Sequence, residues 1–184
     1  MAIDPRSLTP PDPSQWDLYN QPRPMVPAGR YTGRVPETIT IEADDTGGIK
    51  VLLDPIQIVD APAGYRDQVR FERISSKPRA TGRLAGTSRL TDFLLATGTE
   101  PIRSTDPEDW VAAINATAGQ QFDFFVDWRA YDKETEEVLA DTYDQFPMNG
   151  SDGTRVPYIT NPKTGQRVAA QYRVRFYFRQ RGRG

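Results

Sequence analysis

The chain has 184 residues and contains neither cysteine nor histidine. Without cysteine there is no disulfide framework, thiolate nucleophile, zinc cluster or iron–sulfur ligand set. Without histidine there is no Ser-His-Asp triad, imidazole general base or histidine metal site. Carboxylates, lysine, tyrosine, serine and threonine are what remain for catalysis, and a hard-cation site could be built only from carboxylates. Long apolar runs are missing as well. The longest are a few residues, such as Phe124-Phe125-Val126, against the roughly 18 that a spanning helix needs. The N-terminal stretch MAIDPRSLTPPDPSQWDLYNQPRPMVPAG has neither the basic start nor the apolar core of a secretory signal. These absences favour a binding or structural role inside the cell over an enzyme, with no cofactor and no membrane.

The charges are present in nearly equal numbers, 23 basic against 25 acidic, yet they are segregated. From Ala61 to Leu90 seven basic residues (Arg66, Arg70, Arg73, Lys77, Arg79, Arg83, Arg89) meet only Asp67 and Glu72, a net +5. From Lys163 to the end Lys163, Arg167, Arg173, Arg175, Arg179, Arg181 and Arg183 meet no acid, a net +7. Between Glu100 and Asp152 thirteen acids meet Arg103, Arg129 and Lys133, a net −10. Such blocks either pair with one another across the fold or leave a basic surface for an anionic polymer.

Proline divides the chain. Residues 1–27 carry seven prolines and read as an extended arm, with Trp16, Leu18 and Tyr19 available to pack on the body or on a neighbouring subunit. A domain follows over residues 28–179, and residues 180–184 form a basic tail. The domain opens with a strand over Arg30–Glu42, the turn sequence Ala43–Gly48 and a strand over Ile49–Val59. Pro36 and Pro55 mark edges or bulges. A third strand over Gln68–Ser75 leads to a basic loop, Ser76–Gly86. Two helices come next: Thr87–Thr97, with Leu90, Phe93 and Leu94 on one face and Gly98 as its stop, and a helix opened by a capping box at Thr105–Glu108. Trp110, Val111 and Ile114 form the second helix's apolar face, and Gly119 closes it. Period-two alternation then marks strands over Gln121–Tyr131 and Val168–Arg179. The 132–167 connection between them is long, and its Glu134–Tyr143 part is either a short helix or an extended hairpin.

Strand, strand, strand, helix, strand, strand predicts a mainly β fold, a five-stranded Greek-key barrel of OB type with its helices between strands three and four. The stretch Val26-Pro27-Ala28-Gly29-Arg30-Tyr31 resembles the Pro-Ala-Gly-x-Tyr start of small bacteriophage proteins of replication and recombination. Phe71–Gly98 is similar to the same proteins, in which a polar loop and a helix ending near Leu-Leu-x-Ala-x-Gly follow the third strand. The likeness runs from about Val26 to Tyr131. It implies an OB-fold that binds single-stranded DNA in the cytoplasm of a bacterial host. The basic tail departs from the acidic tail of many single-strand binders, and the Pro-rich arm has no counterpart among them.

Binding single strands without sequence preference requires a positive groove and aromatic platforms. The last strand is expected to show Arg173, Arg175, Tyr177 and Arg179 on the face opposite Val174, Phe176 and Phe178. Arg70 and Arg73, with Lys77, Arg79, Arg83 and Arg89 of the following loop, are expected as a second set of phosphate contacts. Phe125 and Tyr131, with Arg129 beside them, are candidate platforms, and Tyr158 in the long connection is another. Trp128 shares the parity of Phe122, Phe124 and Val126, which favours the core over a stacking role. Two other motifs fail: Gly82–Ser88 lacks the Gly-Lys-Ser/Thr ending of a phosphate loop, and Asp141, Asp144 and Asp152 lack EF-hand spacing. The expected partner is single-stranded DNA, with self-association through the arm. The rival reading is a phage virion or tail component whose arm and tail reach neighbouring subunits.

Overall fold

The computed structural model describes residues 25–62, 70–149 and 154–180; residues 1–24 of the expected arm and the end of the basic tail, 181–184, lie outside them. Strands β1 (Gly29–Arg34), β2 (Thr40–Ala43), β3 (Ile49–Asp60) and β4 (Arg70–Ser75) precede helices α1 (Arg89–Ala96) and α2 (Pro107–Asn115). Then come β5 (Gln121–Asp132), β6 (Glu137–Ala140), a 3-10 turn (Tyr143–Gln145), β7 (Met148–Asn149), β8 (Thr154–Arg155), β9 (Tyr158–Thr160), β10 (Arg167–Ala169) and β11 (Gln171–Phe178). No described helix is long and apolar enough to cross a membrane.

The expected mainly β architecture is present, with both helices between the third and fourth long strands. The main sheet is antiparallel and has seven strands, in the order β11-β5-β1-β3-β2, with β4 also on β3 and β6 also on β5. It is not the closed five-stranded barrel expected. Among the described residues β4 and β11 share no ladder, so the sheet stays open between them.

Local chemistry explains most element boundaries. The turn between β2 and β3 is held by Asp44, whose Oδ1 accepts from the backbone N–H of Thr46 (2.9 Å) and Gly48 (2.8 Å) while Gly47 takes φ +79°. Pro36 falls where the predicted first strand breaks into β1 and β2, because it cannot supply the ladder donor. Pro55 lies in an irregularity of the β3–β4 register between Leu53 and Ile56. Ser88 caps α1 by accepting from Thr91 N–H, and Gly98 ends the helix at φ +82°. For α2 the cap is Asp106, which accepts from Glu108 N–H, and not Thr105. Val111, expected in the apolar face of that helix, is exposed, whereas Ile114 is buried.

The core lies between the sheet and α1. Phe122, Phe124, Val126, Trp128 and Ala130 point inward from β5 as the alternation predicts, joined by Tyr31, Leu53, Ile56 and Ile74. Phe93 of α1 meets Phe122 edge-on at 5.3 Å. Burial of each such side chain is worth about 1.5–3 kcal/mol. Gly33 sits where a Cβ would come within 2.6 Å of Ile56 Cγ2, so β1 crosses the core without room for a side chain. Met25 and Val26, expected in the arm, belong to this core, and Trp128 Nε1 donates to the Val26 carbonyl at 2.9 Å.

The long connection is ordered over its described part. It forms the extended hairpin rather than a helix: β6 pairs with the end of β5, Ala130 facing Ala140. Buried Asn161 fastens the connection from the far side. Its Nδ2 donates to Asp132 Oδ2 (2.5 Å) and Thr135 Oγ1 (3.2 Å), and its Oδ1 accepts from Lys163 N–H (2.8 Å).

Candidate nucleic-acid interface

The predicted last strand is two elements: Arg167–Ala169 pairs with β9, and only β11 joins the sheet. Within β11 the register slips. Val174 faces Val126 but Phe176 faces Phe125, so Arg175 is an extra residue, a β-bulge. Because strand side chains alternate with period two, one extra residue reverses every face beyond it. Tyr177 therefore turns into the core and is 9% exposed, correcting its expected position beside the arginines. Phe176, expected inside, is 42% exposed.

Inside, Tyr177 completes a buried polar group. Its hydroxyl donates to Glu72 Oε1 at 3.1 Å, and Arg89 Nη2 donates to the same oxygen at 2.7 Å and to the Tyr177 oxygen at 3.4 Å. Burial raises the Glu72 pKa above its ordinary value despite the attraction of Arg89, and burial together with Glu72 pushes the Tyr177 phenol well above its own. Tyr177 thus remains a hydrogen-bond donor. The group takes Arg89 away from the expected phosphate contacts and joins β4, α1 and β11 across the opening of the sheet, where no backbone ladder runs among the described residues.

Outside, the bulge assembles a row of aromatic rings. Phe125 and Phe176 stack at 5.0 Å between centroids with their planes 13° apart, and Phe178 meets Phe176 edge-on at 5.1 Å. Arg30 Cζ lies 4.5 Å from the Phe178 centroid, and its guanidinium pairs with Asp123. Phe125 was legible from parity. Phe176, Phe178 and Arg30 were not, although three consecutive aromatics, Phe176-Tyr177-Phe178, already require rings on both faces.

Two of the three arginines expected on that face, Arg173 and Arg175, have acidic partners. Arg175 Nη1 donates to Asp127 Oδ2 at 3.0 Å, and Asp127 also accepts from the backbone N–H of Tyr143 at 2.9 Å. Arg173 pairs with Asp141 at 3.1 Å, and Arg129 approaches the same carboxylate at 3.9 Å while lying 5.3 Å from the Tyr131 ring centroid. The acids come from the neighbouring strand and from the segment after β6, which the parity of β11 alone does not register. The basic and acidic blocks therefore pair in part across the fold.

The second expected set lies elsewhere. Arg73 is exposed on β4 opposite Leu52, and the side chain of Arg70 is outside the described part. Arg79 is a structural residue: it bonds Asp92 (2.6 Å) and Thr87 Oγ1 (2.8 Å) and closes the loop before α1. Lys77 and Arg83 are exposed on that loop, and Arg179 is exposed beyond β11; none has an acidic partner among the described residues. Tyr158 is half-buried in the β9–β10 hairpin beneath Arg167, whose Cζ is 4.5 Å from the ring centroid. The structure thus gathers Phe125, Arg129, Tyr131, Arg173 and Arg175 on one sheet face and separates them from Arg73, Lys77, Arg79, Arg83 and Tyr158.

A cavity of about 370 Å³ opens on the other side of α1, between the β2–β3 turn and the starts of α1 and α2. Among the described residues no group of three or more acids is placed to hold a metal ion. No model of a protein family matches this chain, and neither curated proteins nor solved structures yield a match.

Proposed function

We propose that the protein binds single-stranded DNA with little sequence preference, in phage replication or recombination in the bacterial cytoplasm. The observation that carries this reading is the row Phe125–Phe176–Phe178 on the outer sheet face, with Phe176 exposed and its two neighbours half-buried, bordered by Arg30, Arg129, Arg173 and Arg175. Flat rings accept any base, and guanidinium groups follow the phosphates. The helices between the third and fourth long strands, the antiparallel order of those strands and the partly open sheet are compatible with an OB-type barrel. The likeness of Val26–Tyr31 and of Phe71–Gly98 to phage single-strand binders agrees with it. A labelled oligonucleotide is expected to bind with an affinity that falls steeply as salt rises, and single strands are preferred over duplex. Absence of binding at low salt, or binding indifferent to salt, overturns the reading.

One observation favours the structural alternative, a virion or tail component. The acids that engage Arg173 and Arg175 leave exposed aromatic carbon rather than bare charge on this face, which also suits contact with protein. If that reading holds, Phe176→Ala disperses an assembly seen by size-exclusion chromatography and leaves no oligonucleotide binding to lose.

A further inference from the structure

We propose that the cavity between the β2–β3 turn and the starts of α1 and α2 takes one unpaired nucleobase, so that a bound strand is held there by a flipped-out base as well as on the aromatic row. The proposal rests on the single-strand reading and names a second contact for the same ligand.

The lining argues for the ligand class. None of the residues lining the cavity is charged, so no side chain there offers an ion pair to a phosphate or a cation, and a neutral group is the better match for its interior. Its walls include Ile49, Pro107 and Trp110, and the indole N–H of Trp110 is tied to the Ser104 carbonyl at 2.9 Å, so the ring is fixed and offers carbon to the interior. Hydroxyls supply the polar contacts. Ser88 Oγ and Thr91 Oγ1 lie 3.0 Å apart and share one hydrogen bond, which uses one hydroxyl proton of the two and leaves the other for a ligand. Ser76 Oγ accepts from Ile49 N–H at 2.8 Å and keeps its own proton to donate. A rigid apolar wall with a few donors and acceptors at its border suits a flat, neutral, hydrogen-bonding heterocycle, and the volume of about 370 Å³ lies in the range of small-molecule sites. Access is open on the side of Gly47 and Gly86, where a Cβ would meet nothing within 4 Å. Exposed Lys77 follows Ser76 directly in the chain and provides a cation for the phosphate outside.

The test uses the full chain labelled with 5-fluorotryptophan, with the Trp110 fluorine signal assigned through Trp110→Phe. Free deoxynucleosides, which carry no phosphate, are titrated to millimolar concentration. The expected result is a saturable shift of the Trp110 signal that is indifferent to salt and is weakened about tenfold in Thr91→Val, an isosteric change that removes one hydroxyl. No shift, an equal shift with deoxyribose 5-phosphate alone, or an unchanged titration in folded Thr91→Val overturns the proposal. An oligonucleotide that binds without moving the Trp110 signal also overturns it and leaves the single-strand reading intact. A nucleoside that binds while oligonucleotides do not upholds the cavity and overturns the single-strand reading.

Discussion

Tyr177 and Glu72 are 105 residues apart in sequence and 3.1 Å apart in space, joined by a hydrogen bond from the phenol to the carboxylate. That contact, with Arg89 beside it, spans the gap between β4 and β11 that backbone pairing leaves open. Side chains and a helix therefore complete the enclosure of the core on this side.

Arg89→Met should be destabilising, because it leaves the Glu72 carboxylate buried without its cation. The expected loss is about 2–3 kcal/mol, below the ~3–5 of a fully buried pair, since Arg89 keeps about a third of its side chain in solvent. The sign of the pH dependence follows from the raised pKa of Glu72. Its neutral form suits the folded state, so its contribution is fully present below the ordinary value of 4.5 and is lost as pH rises through the folded value. Denaturant unfolding of the variant at several pH values should show its deficit shrinking toward pH 4.5. A deficit independent of pH would mean that Glu72 does not titrate in response.

Phe176→Ala separates function from stability. The ring is 42% exposed, so the melting temperature should change little. Loss of a stacking platform worth ~1–3 kcal/mol should weaken oligonucleotide binding about tenfold or more. Fluorescence anisotropy alongside thermal melting checks both halves, and unchanged affinity in a folded variant would move the interface away from this row.

Asn161→Ala should loosen the connection between β5 and β11 without unfolding the main sheet. Asn161 is fully buried and serves Asp132, Thr135 and Lys163, and buried groups left without partners cost about 1–3 kcal/mol. Hydrogen exchange should accelerate over residues 132–140 and 158–169 while β1 and β3 stay protected.

Acid should loosen the same region. The hydrogen bond from Asn161, and then the backbone donors of Glu134 and Thr135, hold Asp132 below its ordinary value of 3.8. Its contribution is therefore present above that value and is lost as pH falls through the depressed one. In Asn161→Ala the acid transition of this region, followed by exchange or near-ultraviolet circular dichroism, should shift to higher pH.

Features written in adjacent residues were legible in the sequence. The Asp44–Gly48 turn, the stop at Gly98, the alternation of β5 and the burial of Trp128 each follow from local chemistry and hold in the fold. Features that depend on a distant partner were not. The Arg175 bulge is a property of the β11–β5 register, and the engagement of Arg173 and Arg175 depends on acids brought in by β5 and by the segment after β6. At α2 two neighbouring residues, Thr105 and Asp106, both qualify as caps, and spacing alone chose the wrong one. The cavity assembles side chains from four separate segments and has no motif.

The bulge at Arg175 also governs how this strand must be matched to any other. A comparison that runs through β11 without a one-residue offset at Arg175 would equate Tyr177 with a surface position and Phe176 with a core position. Shortening or lengthening the strand by one residue just before Phe176 would act as a switch of identity for the whole aromatic end. The same letters would then spell a different surface.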